Sequence, residues 1–393
     1  MHEELRDFIN AQKLVDADSK ALTYGDGPGG SKKLRAALAA FITKHFRAVK
    51  DVLPEQIMAT NGVTSAIEHT AWALADPGEG ILLGRPYYRA FLPDISFRTG
   101  CKVVPVSFAG CADPLGPECV ARYEEALVAS NAAGVKIRAL VLCHPHNPLG
   151  RCYSRDVLIE LMKMCERHKI HLVSDEIYAL STFENRVDGA AAQADSTSDF
   201  VSVLEIGTAG IMDPSLLHVL WGMSKDFGAN GLRLGVIISQ SNPAFIMACR
   251  TCSLYSYPSA LTENAVTAML TDTQFVERYI RENQKRLADA HALAVEALRK
   301  YEIPYTPGVN AGFFLWVNLG KKYLEKHPEE KVQGEGDPHA ITGIIFKKLM
   351  QTRVFVVDGE AAGAEEPGWF RLVFTQPRDM VEEGIKRIAE AVA

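Results

Sequence analysis

Short apolar runs recur through the middle of the chain, and each stops at polar or turn-forming residues. They are Ile81-Leu82-Leu83, Val103-Val104-Pro105-Val106, Ala139 to Cys143, Ile170 to Val173, Leu217 to Trp221 and Val236-Ile237-Ile238. Helical patterns lie between several of them. Ser154 is placed to cap a helix that carries Val157, Leu158, Leu161, Met162 and Cys165, and the next run starts at Ile170. A strand, a crossover helix and a second strand make a βαβ unit, right-handed in nearly all cases. Runs that are apolar throughout fit a parallel sheet covered on both faces. The centre of the chain therefore reads as an α/β domain.

The flanks differ. Ser31 to about Phe46 is a helical pattern with Ser31 as N-cap and Leu34, Leu38, Phe41, Ile42 and His45 at helical spacing. Gln274 to Tyr301 is a long, charge-rich helical pattern that suits a bridge between domains. Beyond it, Phe313 to Val317 and Phe370 to Phe374 read as strands and Met380 to Val392 as a closing helix. Arg186 to Ser198 and Glu325 to Pro338 read as exposed loops, and no internal repeat is present.

Composition narrows the function. At 393 residues the chain is long enough for two or three domains and a large core. With 42 Lys and Arg against 48 Asp and Glu, the net charge of −6 opposes non-specific nucleic-acid binding. No apolar run reaches the roughly 18 residues of a membrane span. Met1-His2-Glu3-Glu4 has neither a basic n-region nor an apolar h-region, so the expected location is cytoplasmic. The eight cysteines sit mostly in apolar surroundings and read as buried thiols. Cys249-x-x-Cys252 lacks a second pair of ligands. Cys165, His168 and His171 straddle a helix end and a strand start, so no metal site is expected.

In an open parallel sheet, ligands bind beyond the carboxyl ends of the strands. After Cys143 comes His144-Pro145-His146-Asn147-Pro148-Leu149-Gly150. After Val173 comes Ser174-Asp175-Glu176-Ile177-Tyr178. After Trp221 comes Gly222-Met223-Ser224-Lys225-Asp226-Phe227-Gly228, with Arg233 following. An amide, a carboxylate, a phenol, a lysine and an arginine thus converge on one crevice. A lysine ending a buried strand can form a Schiff base, and a buried Asp keeps a pyridine nitrogen protonated, which makes the ring an electron sink. Asn and Tyr can bond a phenolate oxygen. Arg and a helix N-terminus can hold a phosphate. The set describes pyridoxal 5′-phosphate. Asn61 to Ala66 opens an apolar helical stretch, so its backbone N–H groups and Thr64 are natural phosphate donors. Tyr88 is placed to stack on the ring.

Ser224 to Gly228, with Gly231, Arg233 and Gly235, resembles the lysine motif of class I/II aminotransferases. The N-P-x-G element at Asn147 and the D-E-x-Y element at Asp175 are similar to the same family, from about Tyr24 to Val373. Arg85-Pro86-Tyr87-Tyr88 with Phe91, Asp175 to Phe183, and Pro367 to Arg371 resemble its 1-aminocyclopropane-1-carboxylate synthase-like branch.

The resemblance implies the aspartate-aminotransferase-like fold, fold type I. Its large domain, about residues 50–273, would be three-layer α/β/α with a mainly parallel seven-stranded sheet. A smaller α+β domain would come from residues 1–49 and 274–393. The resemblance implies Lys225 as the Schiff-base lysine that moves the Cα proton, and Asp175 as the partner of the pyridinium nitrogen. Asn147 and Tyr178 would bond the ring oxygen. Arg233, Ser224, the Val63 N–H and Thr64 would hold the phosphate, and Arg371 would clamp the substrate carboxylate. Tyr24 resembles a tyrosine that enters the neighbouring subunit's site, which implies a homodimer with shared active sites. Two departures stand out. Gly222 occupies a position, three before the lysine, where the family usually has Ser. The family's N-terminal arm, with a glycine-rich stretch and a Glu-Asn pair, ends about where this sequence starts.

The expected activity is formation of an external aldimine with an α-amino acid and removal of its Cα proton, first for amino transfer. Cyclopropane formation or C–S lyase elimination on a sulfur-containing amino acid is the alternative. A binding protein that keeps the fold without turnover is a third. Gly25-Asp26-Gly27-Pro28-Gly29-Gly30 matches a dinucleotide fingerprint, but no apolar strand precedes it, so it reads as a glycine loop presenting Tyr24.

Overall fold

The computed structural model describes residues 1–15, 20–189, 198–330 and 340–393. Its centre is a seven-stranded sheet in the order β1-β7-β6-β5-β4-β2-β3. The strands are β1 (Ile57–Asn61), β2 (Gly80–Gly84), β3 (Lys102–Val106), β4 (Ile137–Cys143), β5 (His171–Asp175), β6 (Leu217–Gly222) and β7 (Leu234–Ile238). From β3 to β6 every neighbouring pair is parallel, while β7 runs antiparallel to both β6 and β1.

The apolar runs have a simple cause. Along β4, Leu140 and Leu142 enter one hydrophobic core, and Ala139, Val141 and Cys143 enter a second on the opposite face. With α5 (Glu118–Ala132) and α6 (Arg155–His168) on the first face and α3 (Gly62–Leu74) and α4 (Phe91–Ser96) on the second, both faces need apolar side chains. The anticipated capping is present: Ser31 accepts from Leu34 N–H at the start of α2 (Lys32–His45), and Ser154 accepts from Val157 N–H at the start of α6.

Several elements are additions to the sequence reading, and three of them illustrate why. β1 was not legible as a strand, because Ile57-Met58-Ala59-Thr60 runs straight into the apolar start of α3. The helix α1 (His2–Asn10) is too short and polar to announce itself, yet Phe8 packs against Phe275 with ring centroids 4.2 Å apart and the rings tilted by 30°. β9 (Val357–Asp358) spans only two residues.

The second sheet is antiparallel in the order β8-β10-β9, with β8 at Phe314–Asn318 and β10 at Trp369–Val373. The helix Thr273–Lys300 links the two sheets. Phe275, Val276, Tyr279 and Ile280 join the core of the large sheet, and Leu287, Ala288, Ala294, Val295 and Leu298 join the core around the small one. Side chains of α1 and α2 pack on the large-sheet core, where Phe41 lies 4.9 Å from Trp221.

All eight cysteines are free and six are buried. Cys165, His168 and His171 do not converge: His168 bonds Glu124 and His171 bonds His218. The glycine-rich stretch is preceded by a short turn, Lys20–Leu22, and its second half packs on β1, with Ala59 N–H donating to Gly29 O at 3.0 Å. Much of the two loops expected at 186–198 and 325–338 lies outside the described residues. Among the described residues no helix is long and apolar enough to cross a membrane.

Candidate active site

The carboxyl ends of β4, β5 and β6 bring Asn147, Asp175 and Lys225 to one cavity of about 210 Å³, which Val63, Thr64, Tyr88, Tyr178, Ser224 and Arg233 also line. Each gets there for a local reason. Lys225 stands on the helical turn Met223–Asp226 that follows β6. Its neighbour Asp226 is buried and ties that turn down, accepting from Trp221 Nε1 at 2.8 Å, Ser181 Oγ at 2.7 Å and Leu180 N–H at 3.1 Å. Lys225 Nζ sits 5.5 Å from the Phe313 ring centroid and 6.0 Å from that of Tyr178. Burial, and then the nearby Arg371 charge, hold its pKa below the usual lysine range, against the pull of Asp175. A lysine so placed loses its proton more readily and becomes a nucleophile and base.

Asp175 ends β5 and is almost wholly buried. Burial pushes its carboxyl up to about 7, and a hydrogen bond from Ile177 N–H and the charge of Lys225 pull the other way. A buried carboxylate this poorly compensated favours a cationic partner.

Asn147 joins two parts of the site. Its Nδ2 donates to Tyr178 Oη at 3.4 Å, and its Oδ1 accepts from Arg371 Nη1 at 2.9 Å. Arg371 comes from the middle of β10, opposite Trp316 on β8 and Val357 on β9. Its guanidinium lies 5.5 Å over the Phe314 ring, and its Nε is shielded from solvent without a partner. That leaves a donor for an arriving acceptor such as a carboxylate.

The floor beneath α3 is built from glycines. A Cβ on Gly235 would lie 2.4 Å from Gly62 C and 2.6 Å from Val63 N, and one on Gly62 would lie 2.3 Å from Arg233 Nη2. The N-terminus of α3 and the Arg233 guanidinium can approach this closely only because neither residue has a side chain. Arg233 itself takes φ +52°, a left-handed conformation that costs a non-glycine residue about 1–2 kcal/mol. Position 222 belongs to the same packing. A Cβ there would lie 2.7 Å from Leu234 O and 2.9 Å from Val63 Cγ2. A serine could enter only if the β7 backbone at Leu234 and Gly235 shifted and the Val63 side chain gave way, so the lost hydroxyl noted in the sequence is bound up with how closely β6, β7 and α3 pack.

Tyr88 follows Tyr87, whose N–H donates to Ala362 O at 2.7 Å, and packs edge-on against Phe91. Tyr24 stands apart: it does not line this cavity, and its side chain is 89% exposed. Asp94 also lines the cavity and was missed. In the sequence it is one acidic residue in the first turn of a short helix, an ordinary place for a carboxylate.

Comparisons with known proteins agree with this architecture. The chain is 34% identical over 354 residues to 1-aminocyclopropane-1-carboxylate synthase 3 of Oryza sativa subsp. japonica, covering 88% of this chain and 74% of the rice protein. It is 31% identical over 399 residues to the probable aminotransferase gliI of Aspergillus fumigatus, covering 100% of this chain and 87% of that one. Among solved structures, an aspartate aminotransferase tetra mutant from Thermus thermophilus shares the fold with a TM-score of 0.76 at 21% identity, covering 99% of this chain and 92% of that one. The family model for aminotransferase class I and II matches residues 1–388, and the chain belongs to that family.

Proposed function

We propose that the protein holds pyridoxal 5′-phosphate in this cavity and acts at the Cα of an α-amino acid, in the first instance for amino-group transfer. The observation that carries the reading is the facing pair Asp175 and Lys225, a buried carboxyl raised to about 7 and a lysine with a lowered pKa on one cavity. The donor set fits the group. Asp175 would meet the ring nitrogen, and Asn147 and Tyr178 the ring oxygen. The Val63 N–H, Thr64, Ser224 and Arg233 would meet the phosphate at the start of α3, with Tyr88 against the ring. When bound, the cofactor supplies a protonated ring that accepts the charge left as the Cα proton departs.

The chain's own residues do the rest. Lys225 Nζ anchors the cofactor and, as a neutral amine, takes and returns the Cα proton. Asp175 keeps the ring nitrogen protonated. Arg371 and Asn147 orient the substrate carboxylate beside the lysine, which sets the Cα–H bond toward Nζ. Tyr24, 89% exposed, is available to a second copy of the chain, and we propose a homodimer with shared sites, each subunit having a large domain at about 50–273, on which the helices α1 and α2 of residues 1–49 also pack, and a small domain around the three-stranded sheet within 274–393.

A second reading is cyclisation or elimination, favoured by the similarity to the rice synthase at 34% identity. The same lysine, aspartate and arginine serve both. Incubation with single amino acids, with and without a keto acid, separates them. Keto-acid-dependent amino exchange supports transfer. Release of methylthioadenosine or a thiol without exchange replaces it with the second reading. A wild-type protein that stays colourless after added pyridoxal phosphate sinks both.

A further inference from the structure

A second cavity adjoins the first at Lys225. It holds about 610 Å³, against about 210 Å³ for the cofactor cavity, and Ser224, Lys225 and Asn230 line both. The rest of its wall comes from elements that the cofactor cavity does not reach. Asn283, Arg286, Leu287 and Ala290 stand on the helix Thr273–Lys300, Phe313 just before β8, and Gln376 beyond β10. A third cavity, of about 830 Å³, touches Arg371 but none of the residues that line the cofactor cavity.

An α-amino acid held as proposed has three of its four Cα bonds committed. The amino group meets the cofactor, the carboxylate meets Arg371 and Asn147, and the Cα–H bond faces Lys225 Nζ. The side chain remains, and it needs space that opens beside the lysine. The smaller cavity is taken by the cofactor, and the third does not reach Lys225. The second does, with Lys225 Nζ 5.5 Å from the centre of the Phe313 ring in its wall. Its volume of about 610 Å³ falls within the roughly 300–1,000 Å³ of ordinary small-molecule sites, and a methyl side chain would leave it nearly empty.

The lining sets the chemistry. Among the described residues, its basic side chains are Lys225, His2 and Arg286, and no carboxylate lines it. Lys225 is committed to the cofactor. His2 Nε2 lies 3.1 Å from Gly228 O. Arg286 is held by Glu282 at 2.7 Å, with Glu4 at 3.7 Å. A distal carboxylate or ammonium entering here would leave water without a free counter-charge to meet it. Phe313, Leu287 and Ala290 offer apolar surface, and Asn283 and Gln376 offer neutral hydrogen-bonding groups. We infer that the cavity adjoining Lys225 takes the substrate's side chain, and that the substrate class is α-amino acids with a large, uncharged side chain. Phe313, Ala290 and Gln376 are then specificity-determining residues. This rests on the reading of the smaller cavity as a pyridoxal phosphate site and goes beyond it, because the cofactor's chemistry is common to all α-amino acids.

The test is kcat/KM of the cofactor-loaded protein for alanine, methionine, phenylalanine, glutamate and lysine. Calorimetric binding of the matching carboxylic acids, which lack the amino group, reads the same site without turnover. In both measurements wild type should favour methionine and phenylalanine over alanine by about 10–100-fold, and over glutamate and lysine by about tenfold or more. Ala290→Phe, which fills the cavity from the helix Thr273–Lys300, should lower methionine and phenylalanine about tenfold and leave alanine within about twofold. Gln376→Arg, on an exposed segment, should raise glutamate about tenfold by supplying the counter-charge. Met380→Ser, an exposed position that lines the third cavity alone, should leave the order of substrates as it was. Equal use of alanine and phenylalanine by wild type, an equal loss of every substrate in Ala290→Phe, or a preference moved by Met380→Ser overturns the assignment. The two levels are separable. Any of those results in a protein with Lys225-dependent visible absorption removes the side-chain site alone. A wild type that takes up no pyridoxal phosphate removes the cofactor reading and this inference with it.

Discussion

The two sheets reach one site by opposite routes. The seven-stranded sheet offers the ends of its strands. Asn147, Asp175 and Lys225 each follow a buried strand, and the backbone beneath them is set by glycines at 62, 222 and 235 that admit no Cβ. The three-stranded sheet offers the middle of a strand, where Arg371 reaches across to Asn147 from β10. The first arrangement is rigid and suits a group retained through turnover. The second has a half-buried guanidinium with a spare donor, and it suits a group that arrives and leaves. The helix Thr273–Lys300, with side chains in both cores, is the mechanical link between them.

Substitutions can break this contrast. Lys225→Ala should have the largest effect, taking both the visible absorption of the cofactor-loaded protein and amino-acid turnover to background. Surviving absorption would move the anchor elsewhere. Arg371→Ala comes next. It should lower kcat/KM for amino acids by about 10²–10³-fold, because a carboxylate loses its charged hydrogen bonds, and leave cofactor affinity within about twofold. An equal loss of cofactor affinity would erase the division of labour between the sheets.

Gly235→Ala probes the rigid side. Its Cβ would meet the backbone of Gly62 and Val63 at 2.4–2.7 Å, so α3 must move. Cofactor affinity should fall about tenfold, more than amino-acid KM changes, since about 1–3 kcal/mol is the usual cost of overpacking. Unchanged affinity would mean that the start of α3 does not hold the phosphate.

The smallest effect concerns stability and pH. In the folded chain Asp175 titrates at about 7, against an ordinary 3.8. Below the lower value both folded and unfolded forms are protonated, and there is no penalty. As pH rises toward the higher value, the unfolded chain releases the proton while the folded one keeps it, so stability falls; above it the full penalty applies. Cofactor-free Asp175→Asn should therefore melt about 2–5 °C above cofactor-free wild type near pH 8 and together with it near pH 4. A constant difference across that range would show that Asp175 does not carry the buried charge.

Particular residues show how far the sequence was readable. The run Ala139 to Cys143 announced a strand buried on both faces, because its alternate residues serve two cores. Ser31 and Ser154 announced helix starts because a capping hydroxyl acts within three residues of itself. β1 stayed hidden because it ends at Asn61 and α3 begins at Gly62, so no turn residues separate the two apolar segments. Gly222 read as a lost hydroxyl, whereas in the fold it is also a contact between β6 and α3. Asp94 read as an ordinary helical acid, and only the closing of the cavity gives it Thr64 as a neighbour.

By itself the sequence determined what depends on local order: that the apolar segments β2 to β7 are strands, that the carboxyl ends of several carry an amide, a carboxylate, a lysine and an arginine, and so what chemistry they support together. The tertiary structure decided what depends on approach between distant segments. It set the strand order, the antiparallel β7, the seat of α3 on three glycines, the reach of Arg371 to Asn147 across 224 residues of chain, and the burial that displaces Asp175, Asp94 and Lys225 from their ordinary pKa values. The reason is physical. Hydrogen bonds and side-chain periodicity act over a few residues, while desolvation and steric fit exist only once the chain has closed around a group.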